Sequence, residues 1–307
     1  MFRTMPSRLR LVSPHVESGG DAPRRRHRTP LFLDVRALHV HPWLRLTKDH
    51  GSVVLGHGPC ISAQSAGTEI HNMSDPPLAE AVGRARELLK RGAYADAEAL
   101  LSGLIHDIES RSGDRAPELI APLYLYARAV GQQSPWDTLP HRERAALERA
   151  LRLAVEHDGE ESRRAVRIQE TLAVCLSSSG NAELACPHMM NVVRFTERIH
   201  GDGVLLAHAL GGLADMLLDA GRWEDALAAY ERASGMMSGR GDELAEFTLL
   251  FGKGRCLIAM GRHADAVPVL ESAYTWFLGR FGDNRRAKEL LVWLDRARLG
   301  AARSHET

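Results

Sequence analysis

Residues 209–233 contain a pattern of two amphipathic helices, and this pattern limits the folds that the chain can adopt. Leu213 and Leu217 recur at the spacing of one helix face, and Leu227 and Tyr230 recur at that of a second helix. The two patterns meet at Gly221, and glycine readily takes the left-handed conformation that ends a helix. This stretch therefore predicts a helical hairpin.

The same two-helix pattern recurs along the chain. The small residue near the start of each second helix is Ala185, then Ala226, then Ala266, at steps of 41 and 40 residues. A further copy lies upstream, where Tyr94 takes the place of Trp223. Residues 117–155 fit a divergent copy with a longer loop, after which Asp137 or Thr138 is expected to cap the next helix.

The repeated two-helix pattern resembles the tetratricopeptide repeat. The matching positions are Leu213, Ala214, Leu217, Gly221, Trp223, Ala226, Tyr230 and Ala233. The period exceeds the roughly 34 residues usual for this repeat, and in this it resembles kinesin light chains and their bacterial relatives. Those relatives often carry Ala-x-Pro early in the second helix, as in 185–187 and 266–268 here. We expect each proline to lie in the first helical turn, where no backbone hydrogen bond is lost.

The resemblance implies an all-α fold, a right-handed α-solenoid of about five helix-turn-helix hairpins in residues 73–303. A helix at about 286–302 lacks a following partner and is expected to cap the array, presenting Arg296 and Arg298 to solvent. Trp223 is expected to be a buried interface residue, so Trp223→Ala should cost about 3–5 kcal/mol. Ala226→Leu should cost about 1–3 kcal/mol by overpacking the hairpin.

Residues 1–72 form a basic leader with 10 Lys and Arg against 5 Asp and Glu, although the whole chain has a formal charge of zero. No helical or strand period is sustained there, so we expect disorder. Our preferred interpretation is that Met73 is the native start, since the first helical pattern follows it directly. The alternatives that stay open are a translated leader and an Arg-rich targeting segment. N-terminal sequencing of the protein from its own host distinguishes them.

Metal ligands and redox pairs are not indicated. Seven histidines of the leader, together with Cys60, match no compact zinc spacing. Cys175, Cys186 and Cys256 lie within helical patterns and are expected to be buried thiols of a reducing compartment. We expect neither a metal nor a cofactor.

Catalytic motifs are also missing from the sequence, and we expect a protein that is not an enzyme. The run Gly252-Lys253-Gly254-Arg255 resembles half of a phosphate loop, but no strand precedes it and it falls where the repeat requires small residues. The acidic body argues against nucleic-acid binding. No apolar stretch approaches the roughly 20 residues of a membrane span.

The family implied by the resemblance binds peptide or protein segments along the concave face, which the first helices line. Carried over position by position, that face holds Arg86, Lys90, Arg128, Thr171, Ser177, Asp215, Asp219 and Arg255. The family's clamp for carboxyl-terminal peptides uses asparagines, and this chain has none at these positions. The arginines can instead bind carboxylates or a phosphate through paired hydrogen bonds, or can pair with neighbouring Glu and Asp.

Two functions follow as hypotheses. The first is a cytoplasmic adaptor that holds an acidic or amphipathic segment of another protein. Arg86→Glu with Arg255→Glu should then abolish capture without lowering the melting temperature. The second is a peptide- or ligand-sensing module of a signalling or transcriptional system, which a large ligand-induced change in radius of gyration would favour.

Overall fold

Eleven α-helices and one short 3₁₀ turn form the part of the chain that the computed structural model describes, residues 76–133 and 141–304. The helices are α1 (Pro76–Lys90), α2 (Tyr94–Ser112), α3 (Ile120–Gln133), α4 (His141–Asp158), α5 (Arg163–Ser178), α6 (Ala182–His200), α7 (Val204–Asp219), α8 (Trp223–Met237), α9 (Glu243–Ala259), α10 (His263–Phe281) and α11 (Arg285–Ser304). The predictions about the leader, Met73, Asp137 and Thr138 concern residues outside these described ranges.

Each helix packs against the next, so α1 to α10 make five antiparallel hairpins and α11 covers the last one. The predicted fold class, an α-solenoid of five hairpins with a capping helix, is confirmed. First helices also contact one another, as α7 does α9 and α9 does α11. The array therefore has a face built by first helices and another built by second helices.

The turn inside each hairpin has a shared geometry that follows from its glycine. Gly221 has a φ of +76°, which L side chains rarely adopt. The amide of Arg222 donates to the carbonyl of Leu217 at 2.9 Å, closing the end of α7. Gly180 and Gly261 have φ values of +75° and +74° and close their turns in the same way, so the glycine predicted from the pattern fixes the hairpin.

Small residues set how closely the helices approach. Ala185, Ala226 and Ala266 are completely buried, which confirms the place given to them by the repeat period. Around them lie large side chains, among which Tyr230 and Leu270 are buried. On the second helices, ion pairs link successive hairpins, such as Arg149 to Glu109 at 2.5 Å. Each such pair near the surface contributes little alone, and the buried side chains carry most of the stability.

The structure contradicts three predictions about local structure. Pro187 and Pro268 are each the sixth residue of their helix, not in its first turn, so the prediction for them was wrong. Each lacks the amide that would bond the carbonyl four residues earlier, yet both helices continue, and both rings are exposed. Trp223 is 38% exposed, so its prediction as a buried residue was also wrong.

The capping helix and the thiols behave as expected. Leu290, Leu294 and Ala297 of α11 are buried, whereas Arg296 and Arg298 are exposed. Cys175, Cys186 and Cys256 are free and buried, which confirms that they are buried thiols. No helix in the described ranges is both long and apolar enough to span a bilayer.

Candidate binding face on the first helices

The eight predicted contact residues all lie on first helices, but their environments differ. Arg86 and Lys90 are on α1, Arg128 is on α3, Thr171 and Ser177 are on α5, Asp215 and Asp219 are on α7, and Arg255 is on α9. Six of them fall into two groups, one on α3 and α5 and one on α7 and α9, whereas Arg86 and Lys90 lie on α1. We call this side of the array the first-helix face.

The α7–α9 group contains an internal ion pair. Nη2 of Arg255 lies 3.5 Å from Oδ1 of Asp219, and these side chains are only 13% and 15% exposed. The guanidinium of Arg255 also lies 5.6 Å from the ring centroid of Trp293 on α11. Arg255 thus holds α7, α9 and α11 together. Of the two alternatives considered for the arginines, binding a partner or pairing with a neighbouring carboxylate, Arg255 adopts the second.

This pairing changes the expected result of replacing Arg255. A glutamate at 255 would place a second carboxylate beside Asp219 in a partly buried site, where like charges repel strongly. We therefore expect Arg255→Glu to lower the melting temperature. It is not a clean probe of partner binding, contrary to the expectation from sequence.

Asp215 serves packing as well. It is 6% exposed, and its Oδ1 accepts a hydrogen bond of 2.5 Å from the hydroxyl of Tyr230 on α8. Burial and the nearby Asp215 raise the pKa of Tyr230 well above its ordinary value, so this phenol remains a donor. A carboxylate held in this way inside the hairpin is not available to a partner.

Gly252 makes room for that hydrogen bond. A Cβ at position 252 would lie 2.5 Å from two ring carbons of Tyr230 and 2.6 Å from its hydroxyl oxygen. Gly254 is likewise covered by the side chain of Leu270. The run 252–255 therefore lies within α9, as expected, and does not form a phosphate loop. Its two glycines serve helix packing.

The α3–α5 group is more open. Arg128 is exposed, and its guanidinium lies 5.9 Å from the ring centroid of Tyr124, one turn earlier on α3. The hydroxyl of Thr171 donates to the carbonyl of Arg167 at 3.2 Å and lies 3.4 Å from the hydroxyl of Tyr124. A cation, an aromatic ring and two hydroxyls thus lie side by side on neighbouring first helices.

The remaining predicted residues separate into covered and open ones. Ser177 is 4% exposed, and no hydrogen-bond partner for its Oγ is found in the described ranges. Lys90 is exposed and pairs with Glu87 on the same helix at 2.7 Å, while Arg86 is half-buried. Four of the eight therefore remain candidates for contact with a partner: Arg86, Lys90, Arg128 and Thr171.

Sequence reasoning missed three residues of this face. Tyr124 stands four residues before Arg128, and helical spacing alone could have placed it there. Glu170 of α5 is half-buried, and burial raises its pKa to about 7 despite the opposing charge of Arg167. Trp293 comes from the capping helix, and no local pattern in the sequence links it to Arg255.

Comparisons with known proteins agree with this geometry. Residues 164–239 and 205–277 match the family model of the tetratricopeptide repeat. No curated protein matches the chain significantly. A crystal structure of BtubC (BKLC) from P. vanneervenii is 18% identical, covers 68% of this chain and 91% of that chain, and has a TM-score of 0.53.

Two crystal structures of a Podosopora anserina putative kinesin light chain with nearly identical TPR-like repeats are also similar. One is 17% identical with a TM-score of 0.57, covering 68% of this chain and 99% of that chain. The other, of a single-residue variant of that protein, is 16% identical with a TM-score of 0.56, covering 66% and 96%. At these identities the likeness shows the fold.

The hairpins, their glycine turns and these matches define a helical-repeat protein. Residues 164–277 carry tetratricopeptide repeats, and the fold of the array is similar to that of the kinesin light chain-like repeat proteins above. Proteins of this class are in general scaffolds for protein–protein interaction.

Proposed function

We propose that this protein is an adaptor that holds an acidic segment of another protein along the α1–α3–α5 part of its first-helix face. The observation that carries the proposal is Arg128, an exposed guanidinium lying over Tyr124. A planar guanidinium held over a ring is partly pre-organised for paired hydrogen bonds to a carboxylate. Lys90 on α1 and Thr171 on α5 extend this polar surface to both sides.

Charge supports this part of the face over the α7–α9 part. Asp219 neutralises Arg255, and Asp215 is buried beneath Tyr230, so the α7–α9 part offers little charge to a ligand. In the described part of the chain Arg128 forms no ion pair. An acidic segment lying across α1, α3 and α5 would gain a carboxylate contact there.

Photo-crosslinking tests the proposal. A crosslinking residue replaces Thr171 in one protein and Arg152, exposed on the second helix α4, in the matched control. Crosslinked peptides recovered from cells of the native host are then identified by mass spectrometry. We expect Glu- and Asp-rich peptides at position 171 but not at 152, with loss of the 171 products when Arg128→Glu is added.

The contrary outcomes are equally definite. The same products at both positions, or products at 171 that persist with Arg128→Glu, would exclude this part of the face as the acidic-segment site. Arg152→Glu provides the matched charge reversal and should leave the 171 products unchanged. Because Arg128 and Arg152 are both exposed, both variants are expected to fold.

The proposal includes a cytoplasmic location. It is supported by Cys175, Cys186 and Cys256, which are free thiols in the folded chain, as is usual in a reducing compartment. Fractionation of cells that produce the tagged chain checks it. Recovery of the chain from an oxidising compartment would contradict it.

A further inference from the structure

The outward face of α11 carries apolar side chains that the rest of the described chain leaves uncovered. Val292 and Leu299 are 57% and 61% exposed, more than any other large hydrophobic residue in the described ranges. They are seven residues apart, which is close to two helical turns, so both lie on one side of α11. The buried residues of α11, such as Leu290 and Leu294, lie on the opposite side.

Three cations flank these two residues. Lys288, Arg296 and Arg303 are exposed, and within the described ranges none of them pairs with a carboxylate. The other basic residues of α11 do have carboxylate partners: Arg285 and Arg286 pair with Glu289, and Arg298 pairs with Glu271 at 2.7 Å. The three cations therefore stand apart from the surface ion pairs of the array.

Helical geometry places the five residues in one line. At about 100° per residue, Lys288, Val292, Arg296, Leu299 and Arg303 fall within an arc of about 80° and span about 23 Å along α11. We call these five residues the outer stripe. Asp295 lies at its edge and is 3.6 Å from Arg298, so the stripe itself is basic.

We propose that the outer stripe docks an acidic amphipathic helix of a second protein. Apolar residues of that helix would pack on Val292 and Leu299, and its carboxylates would pair with Lys288, Arg296 and Arg303. The seven-residue separation of the apolar pair is the spacing at which one helix meets another along a shared seam. Charge complementarity sets the sign of the partner.

A second copy of this chain fits the stripe less well. An antiparallel two-fold contact that places Val292 against Leu299 of the copy would also place Lys288 against Arg303 of the copy. Like charges would then meet at both ends of the seam, which disfavours it.

A lipid surface is also less suited. Interfacial helices insert broad apolar faces, commonly with aromatic residues. The stripe offers only one valine and one leucine. The nearby Trp293 instead packs against Phe251, with ring centroids 6.4 Å apart.

The test uses the full chain and a designed peptide of about 18 residues, enough to cover the stripe at 1.5 Å per residue. The peptide carries leucines at helical spacings of three, four and seven, with glutamates beside them, and a scrambled peptide of equal composition is the control. Fluorescence anisotropy should show binding of the designed peptide only. Leu299→Glu should weaken it about tenfold or more, because an apolar contact is replaced by a repelled charge.

A charge swap makes the test specific. Lys288→Glu with Arg303→Glu should lose the acidic peptide and gain its counterpart in which lysines replace the glutamates. Arg128→Glu, on the other face, should leave binding unchanged, so the outcome is independent of the function proposed above. All substituted positions are exposed, and melting curves should confirm that each variant is folded.

Several results would overturn the proposal. One is equal binding of the designed and scrambled peptides. Another is Leu299→Glu or the charge-swap variant binding as the unmodified chain does. Binding to vesicles that contain phosphatidylserine, without binding to the peptide, would assign the stripe to a lipid surface. Self-association in sedimentation that Val292→Glu abolishes would assign it to a second copy.

Discussion

The hydroxyl of Tyr230 donates a hydrogen bond of 2.5 Å to Oδ1 of Asp215, joining α8 to α7 inside the fourth hairpin. Both residues are buried, and Tyr230 is 1% exposed. Gly252 of α9 lies against the same hydroxyl, so three helices depend on one ring. This arrangement connects a residue of the predicted binding face with the core of the repeat.

Tyr230→Phe removes the hydroxyl and keeps the ring. We expect a loss of about 1.5–3 kcal/mol in unfolding free energy, since a hydrogen bond to a buried charged group is lost. Denaturant unfolding measures it. Tyr274→Phe is the matched control, because Tyr274 is half-buried and its hydroxyl makes no hydrogen bond in the described ranges; equal losses for both would contradict the role of the hydrogen bond.

Gly252→Ala should overpack the contact with Tyr230. The new methyl group would lie 2.5 Å from ring carbons that cannot retreat without breaking the hydrogen bond to Asp215, so we expect a cost of about 1–3 kcal/mol. Gly103→Ala in α2 is the control, because a Cβ there meets nothing within 4 Å. It should be stabilising by about 0.4–1 kcal/mol. Thermal melting of both variants provides the comparison, and a stable Gly252→Ala would show that Tyr230 moves freely.

Trp223→Ala should cost much less than a buried aromatic would. At 38% exposure the indole is only partly removed from water, so we expect a loss well below the roughly 3–5 kcal/mol of a core site. Tyr230→Ala, in the same helix, should reach that range. Chemical denaturation of the two variants measures the difference, and equal losses would mean that Trp223 is covered in solution.

The stability contributed by Glu143 and Glu170 should fall as pH rises from about 4.5 to about 7. Burial raises the pKa of Glu143 from 4.5 to about 7, although a hydrogen bond with Cys175 opposes the shift, and burial does the same to Glu170. The folded state therefore holds these protons more tightly than the unfolded state, and its advantage is lost once both carboxyls ionise above about pH 7. The carboxyl of Glu143 packs directly against Gly131, because a Cβ there would lie only 2.5 Å from it.

Glu143→Gln tests this pH dependence. In this variant the unfolding free energy should decline less between pH 4.5 and 7 than in the unmodified protein. The difference should be roughly 2–4 kcal/mol, from a pKa shift of this size. Glu118→Gln, at an exposed glutamate, is the control. Unfolding free energies measured at pH 5 and pH 8 decide it: an unchanged decline in Glu143→Gln would assign the pH dependence elsewhere.

The repeat could be predicted from local patterns in the chain. Gly221 and Ala226 mark where two helices meet and how closely they pack, and these are local demands of backbone conformation and side-chain volume. Because the same demands recur along the chain, at steps of 41 and 40 residues in the last three hairpins, the five hairpins and the capping helix could be predicted without knowledge of any distant contact. The small residues of 252–255 were placed by the same reasoning.

Which polar residues remain available to a partner depends on contacts that the repeat pattern does not contain. Asp215 and Arg255 occupy the same position in the repeat as Arg128, and Ser177 lies one turn from that position, yet all three are covered or paired within the folded array. Exposure and ion pairing depend on what neighbouring hairpins contribute, such as Trp293 from α11 beside Arg255. The helical period fixes the face on which a side chain lies, whereas its partners are set by contacts between residues far apart in the sequence.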